Sequence, residues 1–273
     1  MKYPIATEWQ YRRDLLALNK YMRKSISKYL LPKIPRMVDE AVNIHAIPTG
    51  EVRQDAWQVD LRTALNNIAK DMVDPVNQTI KQVPRHAVKI NQYNKDEWKK
   101  LIRSQYGVNP TAESPDEYRS VLNNWAYDNA ALIKDIPQRT LLQIRDLTVE
   151  SLMSGQTVDD MQQDIYDIMD ERMDVTDSRA RLIARDQVAK LNGQLTKERQ
   201  IGIGVDSYIW RTVGDERVRD THDMVDGNTY TWDNPPGETD GNHPGEDYQC
   251  RCWAETILPE ALELEASLLE EVE

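Results

Sequence analysis

The sequence lacks the long apolar run that a transmembrane helix needs. No apolar run in its 273 residues approaches the length of a bilayer span. The opening stretch, MKYPIATEWQYRRDLL, also lacks the apolar segment of a signal peptide. Cysteine is scarce: there are two, one residue apart, which is too few for a disulfide framework. They point to a reducing compartment, as free thiols or as metal ligands. Positive charge is short, with 34 Lys/Arg against 46 Asp/Glu and a net charge of -12, which argues against a general nucleic-acid binder. There is no internal repeat, no glycine-rich phosphate loop and no Gly-x-Ser-x-Gly elbow. None of the four histidines sits where the sequence alone argues for a serine or cysteine triad.

What is present is mostly helix. Hydrophobic residues make up 40% of the chain, enough to bury a core. Residues 9–31 carry Leu15, Leu18, Met22, Ile26, Tyr29 and Leu30 at spacings of three and four, one apolar stripe. Lys20, Lys24 and Lys28 run beside it, with Arg23 close by. Residues 1–40 hold nine Lys/Arg against four Asp/Glu, about +5. This row reads either as a solvated face or as a basic arm for an acidic partner or DNA. A second helix is expected from about Gln54 to Asp74, ended or kinked by Pro75. Residues 84–116 mix turn residues and charges and read as a hinge or protruding segment.

Helical periodicity resumes with Tyr118, Val121, Leu122 and Trp125. Pro137 suits the first turn of a further helix that stops at Gly155. Thr157 reads as an N-cap for a helix with an acidic outer face: residues 158–177 hold eight Asp/Glu and only Arg172 opposing them. Asp177 or Ser178 caps the next helix, with Ala184, Val188, Leu191 and Leu195 inward and Gly202 as its stop.

After Asp206 the period changes from 3.6 to 2. Tyr208, Trp210 and Thr212 alternate with their neighbours as in a strand. Residues 215–225 form a short helix with Arg219 and His222 on one face. Asp226-Gly227 turns into a short strand at Asn228–Trp232. CRCWAETIL is expected as a last strand, with Cys250, Cys252 and Ala254 on one side. The tail from Glu255 has seven Glu and no Lys or Arg, and reads as an acidic helix. The expected architecture is mainly α, an elongated helical N-terminal part followed by a small C-terminal α+β module. Its divisions are 1–115, 116–205, 206–255 and the acidic tail 256–273.

Thiolates and imidazoles are the ligands of structural zinc, and four close a tetrahedral shell. His222, His243, Cys250 and Cys252 supply such a set in a unit too small for a large core. The other reading is two reduced thiols on a buried strand face and two loop histidines. A nuclease or toxin-like effector using His222, Asp223 and Asp226 on a metal is a third reading. The acidic flanks argue against it.

The same residues carry a resemblance. Trp210-x-Thr212, Asp215-x-Arg217-Val218-Arg219-x-x-His222, Asp226-Gly227, His243-Pro244-Gly245 and Cys250-Arg251-Cys252 resemble the C-terminal domain of the phage Mu F-like minor head proteins, the SPP1-type head morphogenesis family. The likeness covers about residues 130–255. It departs at Arg219-x-x-His222, where many relatives carry Cys-x-x-Cys, and in the five residues between Pro244 and Cys250. The resemblance implies a non-enzymatic minor capsid protein, made in the host cytoplasm and packaged in the virion. Its implied partners are the portal protein and the major capsid or scaffolding protein, with ejection alongside DNA in some phages. DNA contact, where present, would fall to Lys20, Arg23, Lys24 and Lys28.

Overall fold

The computed structural model describes residues 3–45, 56–107 and 118–257. Helices dominate: α1 (Ile5–Tyr29), α2 (Ile34–His45), α3 (Ala56–Asp71), α4 (Val73–Tyr106), α5 (Arg119–Ser154) and α6 (Val158–Gly202). A small antiparallel sheet follows, built from β1 (Ser207–Arg211), β2 (Thr229–Thr231) and β3 (Trp253–Thr256), with α7 (Asp220–Met224) between β1 and β2. The chain is thus mainly α with a small α+β module. No helix among the described residues is long and apolar enough to cross a membrane.

The chain divides into two compact units. One comprises residues 12–83 and 128–181. In it the stripe Leu15, Leu18, Met22, Ile26 and Leu30 is buried as the spacing predicts. α2 and α3 pack together, and Lys33 Nζ meets Asp60 Oδ1 at 3.2 Å. Thr157 caps α6 by accepting the Asp160 N–H on Oγ1 at 3.2 Å, while Gly155 supplies the left-handed turn before it (φ +73°).

Three expected breaks do not occur. Residues 84–106, expected as a hinge, continue α4 through Pro84. Val76, Thr79, Val83, Ala87, Ile90, Asn94, Trp98 and Ile102 are all buried, so one stripe runs unbroken past the proline. Proline costs about 3 kcal/mol inside a helix, less than burial of two such side chains returns. Pro137 likewise lies inside α5 rather than opening a helix. The cap signal at Asp177-Ser178 is overridden, because no Gly or Pro interrupts residues 158–192 and α6 runs on for 45 residues. Residues 108–116 and the acidic tail after Ile257 lie outside the described residues.

The other unit comprises Met1–Tyr11, Pro84–Tyr127 and Leu182–Glu273, and it contains the sheet. β1 is central in the order β2-β1-β3, with Tyr208 opposite Tyr230 and Trp210 opposite Ala254. Alternation along β1 buries Tyr208 and Trp210 completely. With Val225, Trp232 and Ala254 they form the module's apolar core. The C-terminal half of α6 supports the module: Gln200 Nε2 donates to the Ala254 carbonyl (3.3 Å) and to Thr256 Oγ1 (3.2 Å).

One contact there has a measurable consequence. A Cβ at Gly193 of α6 would stand 2.9 Å from the Pro244 carbonyl oxygen, closer than real Cβ contacts come. Gly245, at φ +91°, approaches the same helix at the Ala189 carbonyl. Gly193→Ala gains about 1 kcal/mol of helix propensity but forces the loop off the helix, an overpacking cost of about 1–3 kcal/mol. The expected outcome is a lower urea midpoint. A midpoint raised by the propensity gain would show that the loop does not approach the helix this closely.

Candidate metal centre in the C-terminal module

Two segments 28 residues apart build the site. The short helix α7 begins after Arg219, whose extended backbone sets its start, and presents His222 inward. The second segment precedes β3. Gln249 takes a left-handed conformation (φ 54°), and its N–H donates to Asp186 Oδ1 of α6 at 2.9 Å. That anchor turns Cys250 back under α7. The strand itself starts only at Trp253, so Cys250 and Cys252 lie in the approach to β3 and not on it as expected from the alternation.

His222 Nδ1 lies 3.5 Å from Cys250 Sγ and 3.4 Å from Cys252 Sγ. The three donor atoms lie within 4.8 Å of one another. His222 and Cys250 are buried and Cys252 is half-buried. The far side of the imidazole is also engaged, with Nε2 3.3 Å from Asp247 Oδ2. Arg219 holds that carboxylate (Nη1 to Oδ2, 3.2 Å) and donates to the Tyr248 carbonyl at 2.5 Å. Arg219 and His222 therefore share a face, as their spacing predicts, and converge on Asp247.

The sulfurs are surrounded by donors. The backbone N–H groups of Gly245 and Cys252 both point at Cys250 Sγ, each at 3.4 Å. The Trp210 indole N–H is fully buried without a hydrogen-bond partner, and Cys252 packs against the apolar cluster that contains Trp210. These contacts set the charges. The Cys252 thiol, donating to Cys250, acts with His222 and the two backbone N–H groups to pull the Cys250 pKa down to about 5 against the effect of burial. Cys252 is pushed up, first by its bond to that thiolate and then by burial. His222 is raised, chiefly by its bond to Cys250, with Asp247 adding.

Of the four ligands expected from the sequence, the structure brings together His222, Cys250 and Cys252. His243 is not in the group. Its Nδ1 faces the Tyr208 hydroxyl at 2.9 Å, its ring packs at a tilt against Trp232, and it bonds the Trp232 backbone. Burial lowers its pKa. Asp223 is exposed, and Asp226 Oδ1 accepts the Thr212 N–H at 2.8 Å, closing the turn after β1. Asp247 is the residue that sequence reasoning missed. It lies in an irregular loop, and only the fold reveals its role. Lys20, Lys24 and Lys28 are exposed along α1, whereas Arg23 donates to the Met169 carbonyl at 2.5 Å.

Comparison with known proteins converges on the same region. Residues 142–255 match the family model described as Phage Mu protein F like protein. An uncharacterized protein of Haemophilus influenzae is 30% identical over 259 residues, covering 92% of this chain. The chain spans about half of that relative's length (53%). No solved structure matches significantly. The match bears out the resemblance read from the C-terminal motifs: residues 142–255 are similar to the phage Mu protein F like family.

Proposed function

We propose that this chain is a minor head protein of a tailed bacteriophage, acting in head morphogenesis as a binding component and not as an enzyme. The observation that carries this reading is the family match over residues 142–255, which takes in α6 and the sheet module up to Glu255. The partner that suits the family is the portal protein, with major capsid or scaffolding protein as further contacts. The place of action is the capsid interior or portal vertex, after synthesis in the host cytoplasm. The large charged helical surface supports association over turnover: α1 carries an exposed lysine row, and α6 opens with Asp159 and Asp160 exposed.

Co-expression with the portal protein of the same genome tests this. The expected result is a complex that survives gel filtration, together with a few copies of the chain in purified particles by mass spectrometry. Absence from particles and failure to co-purify would overturn the reading.

A further inference from the structure

We propose that His222, Cys250 and Cys252 bind a zinc ion through Nδ1 and the two Sγ atoms, with Asp247 positioning the imidazole and water completing the shell. This is independent of the role in the phage head.

The distances fit the ion. In a tetrahedral site with the usual zinc–sulfur and zinc–nitrogen bond lengths, sulfur and nitrogen ligands stand about 3.6 Å apart. The two sulfur–nitrogen separations here are 3.5 and 3.4 Å. The surroundings fit as well. A metal-bound histidine ordinarily donates its other ring N–H to a carboxylate, which fixes the tautomer and orientation. Asp247 stands at that nitrogen, itself clamped by Arg219. Cys250 receives two backbone N–H groups, the arrangement that steadies a thiolate. Zinc requires both cysteines in that form.

The competing use of the same atoms is a Cys–His–Asp nucleophile, since Cys250, His222 and Asp247 lie in series. Two features oppose it. Cys250 is only 3% exposed, so a substrate carbonyl has no approach to its sulfur. A nucleophile also needs one thiolate on its base, whereas two sulfurs crowd the same nitrogen at nearly equal distance.

The fold gives the ion a purpose. Between β2 and β3 lie more than 20 residues whose only regular element is one 3-10 turn, Gly237–Thr239. Loops of this length without structure of their own are uncommon in compact domains. Zinc would tie the end of that loop to α7.

The test uses the full chain, purified without a histidine tag, loaded with zinc and dialysed. Elemental analysis is expected to find about one zinc per chain, as a single tetrahedral site requires. Iodoacetamide on the native protein should leave Cys250 and Cys252 unmodified until a chelator is added, as read by mass spectrometry. His222→Ala, Cys250→Ser and Cys252→Ser should each abolish stoichiometric binding. Asp247→Asn should weaken it by about 10–100-fold, the usual effect of removing a carboxylate behind a ligating histidine. His243→Ala should keep the zinc. Folded wild-type protein that retains no zinc, or alkylates rapidly at Cys250 whether or not chelator is present, would overturn the proposal. The second result would favour the nucleophile. Loss of zinc in folded His243→Ala would overturn the ligand set.

Discussion

Trp210→Ala is expected to unfold the sheet module while α1 to α5 keep their helicity. Trp210 is wholly buried on the central strand, in a core that otherwise consists of Tyr208, Val225, Trp232 and Ala254. Truncating a buried tryptophan to alanine costs about 3–5 kcal/mol. A core of five residues cannot close over a void of that size, so little of the loss is recovered by relaxation. The same side chain packs edge-on against His222, with ring centroids 5.3 Å apart. Its loss therefore removes one wall of the cysteine–histidine cluster too. Hydrogen exchange read by mass spectrometry is the direct measurement. Peptides covering residues 207–256 should lose protection, while those from α1 and α3 remain slow. Trp210→Phe should cost less, because most of the buried surface survives and only the indole N–H is lost. Unchanged protection in Trp210→Ala would mean that the module does not depend on this core.

The parts legible in the sequence were those governed by local rules. The turn to period 2 after Asp206 marks β1, because a strand with one buried face must alternate. Thr157 and Gly155 mark a helix boundary through capping chemistry that involves only neighbouring residues. The misjudged parts were contests between local and tertiary terms. Pro84 and Pro137 are strong local breakers, yet α4 and α5 run through them, and at Pro84 the unbroken buried stripe shows packing to be what wins. The candidate centre was half legible. Ligand chemistry singled out His222, Cys250 and Cys252, but nothing in spacing could separate His243, which Tyr208 and Trp232 hold elsewhere, from the cluster. Asp247 was invisible for the opposite reason: an acidic residue in a loop has no pattern until the fold sets it against an imidazole.

Arg199 is a further residue that only the structure reveals, and its replacement should have the second largest effect. It lies in the last turn of α6 and is 1% exposed, although Arg is almost never buried without partners. Its guanidinium donates to Asn94 Oδ1 at 2.5 Å and to Asn91 Oδ1 at 2.7 Å, both on α4, and lies over the Tyr118 ring at 4.5 Å. Asn94 is completely buried, and its amide nitrogen reaches the Asn192 carbonyl and Thr196 Oγ1 on α6. Its orientation is forced: the guanidinium can only donate, so Asn94 must present oxygen to it and nitrogen to α6. Arg199→Ala strands one buried acceptor, Asn94 Oδ1, and one half-buried acceptor, Asn91 Oδ1, and leaves a large void. Unmet buried acceptors cost about 1–3 kcal/mol each, and the lost packing adds to that. The expected total of about 3–5 kcal/mol corresponds to a fall in Tm of roughly 10 °C for a chain of this size. Arg199→Lys should recover little, since one ammonium cannot reproduce the planar fork that reaches both amides and stacks on the ring. A lysine variant as stable as the wild type would show that buried charge and bulk, not the paired geometry, join α6 to α4.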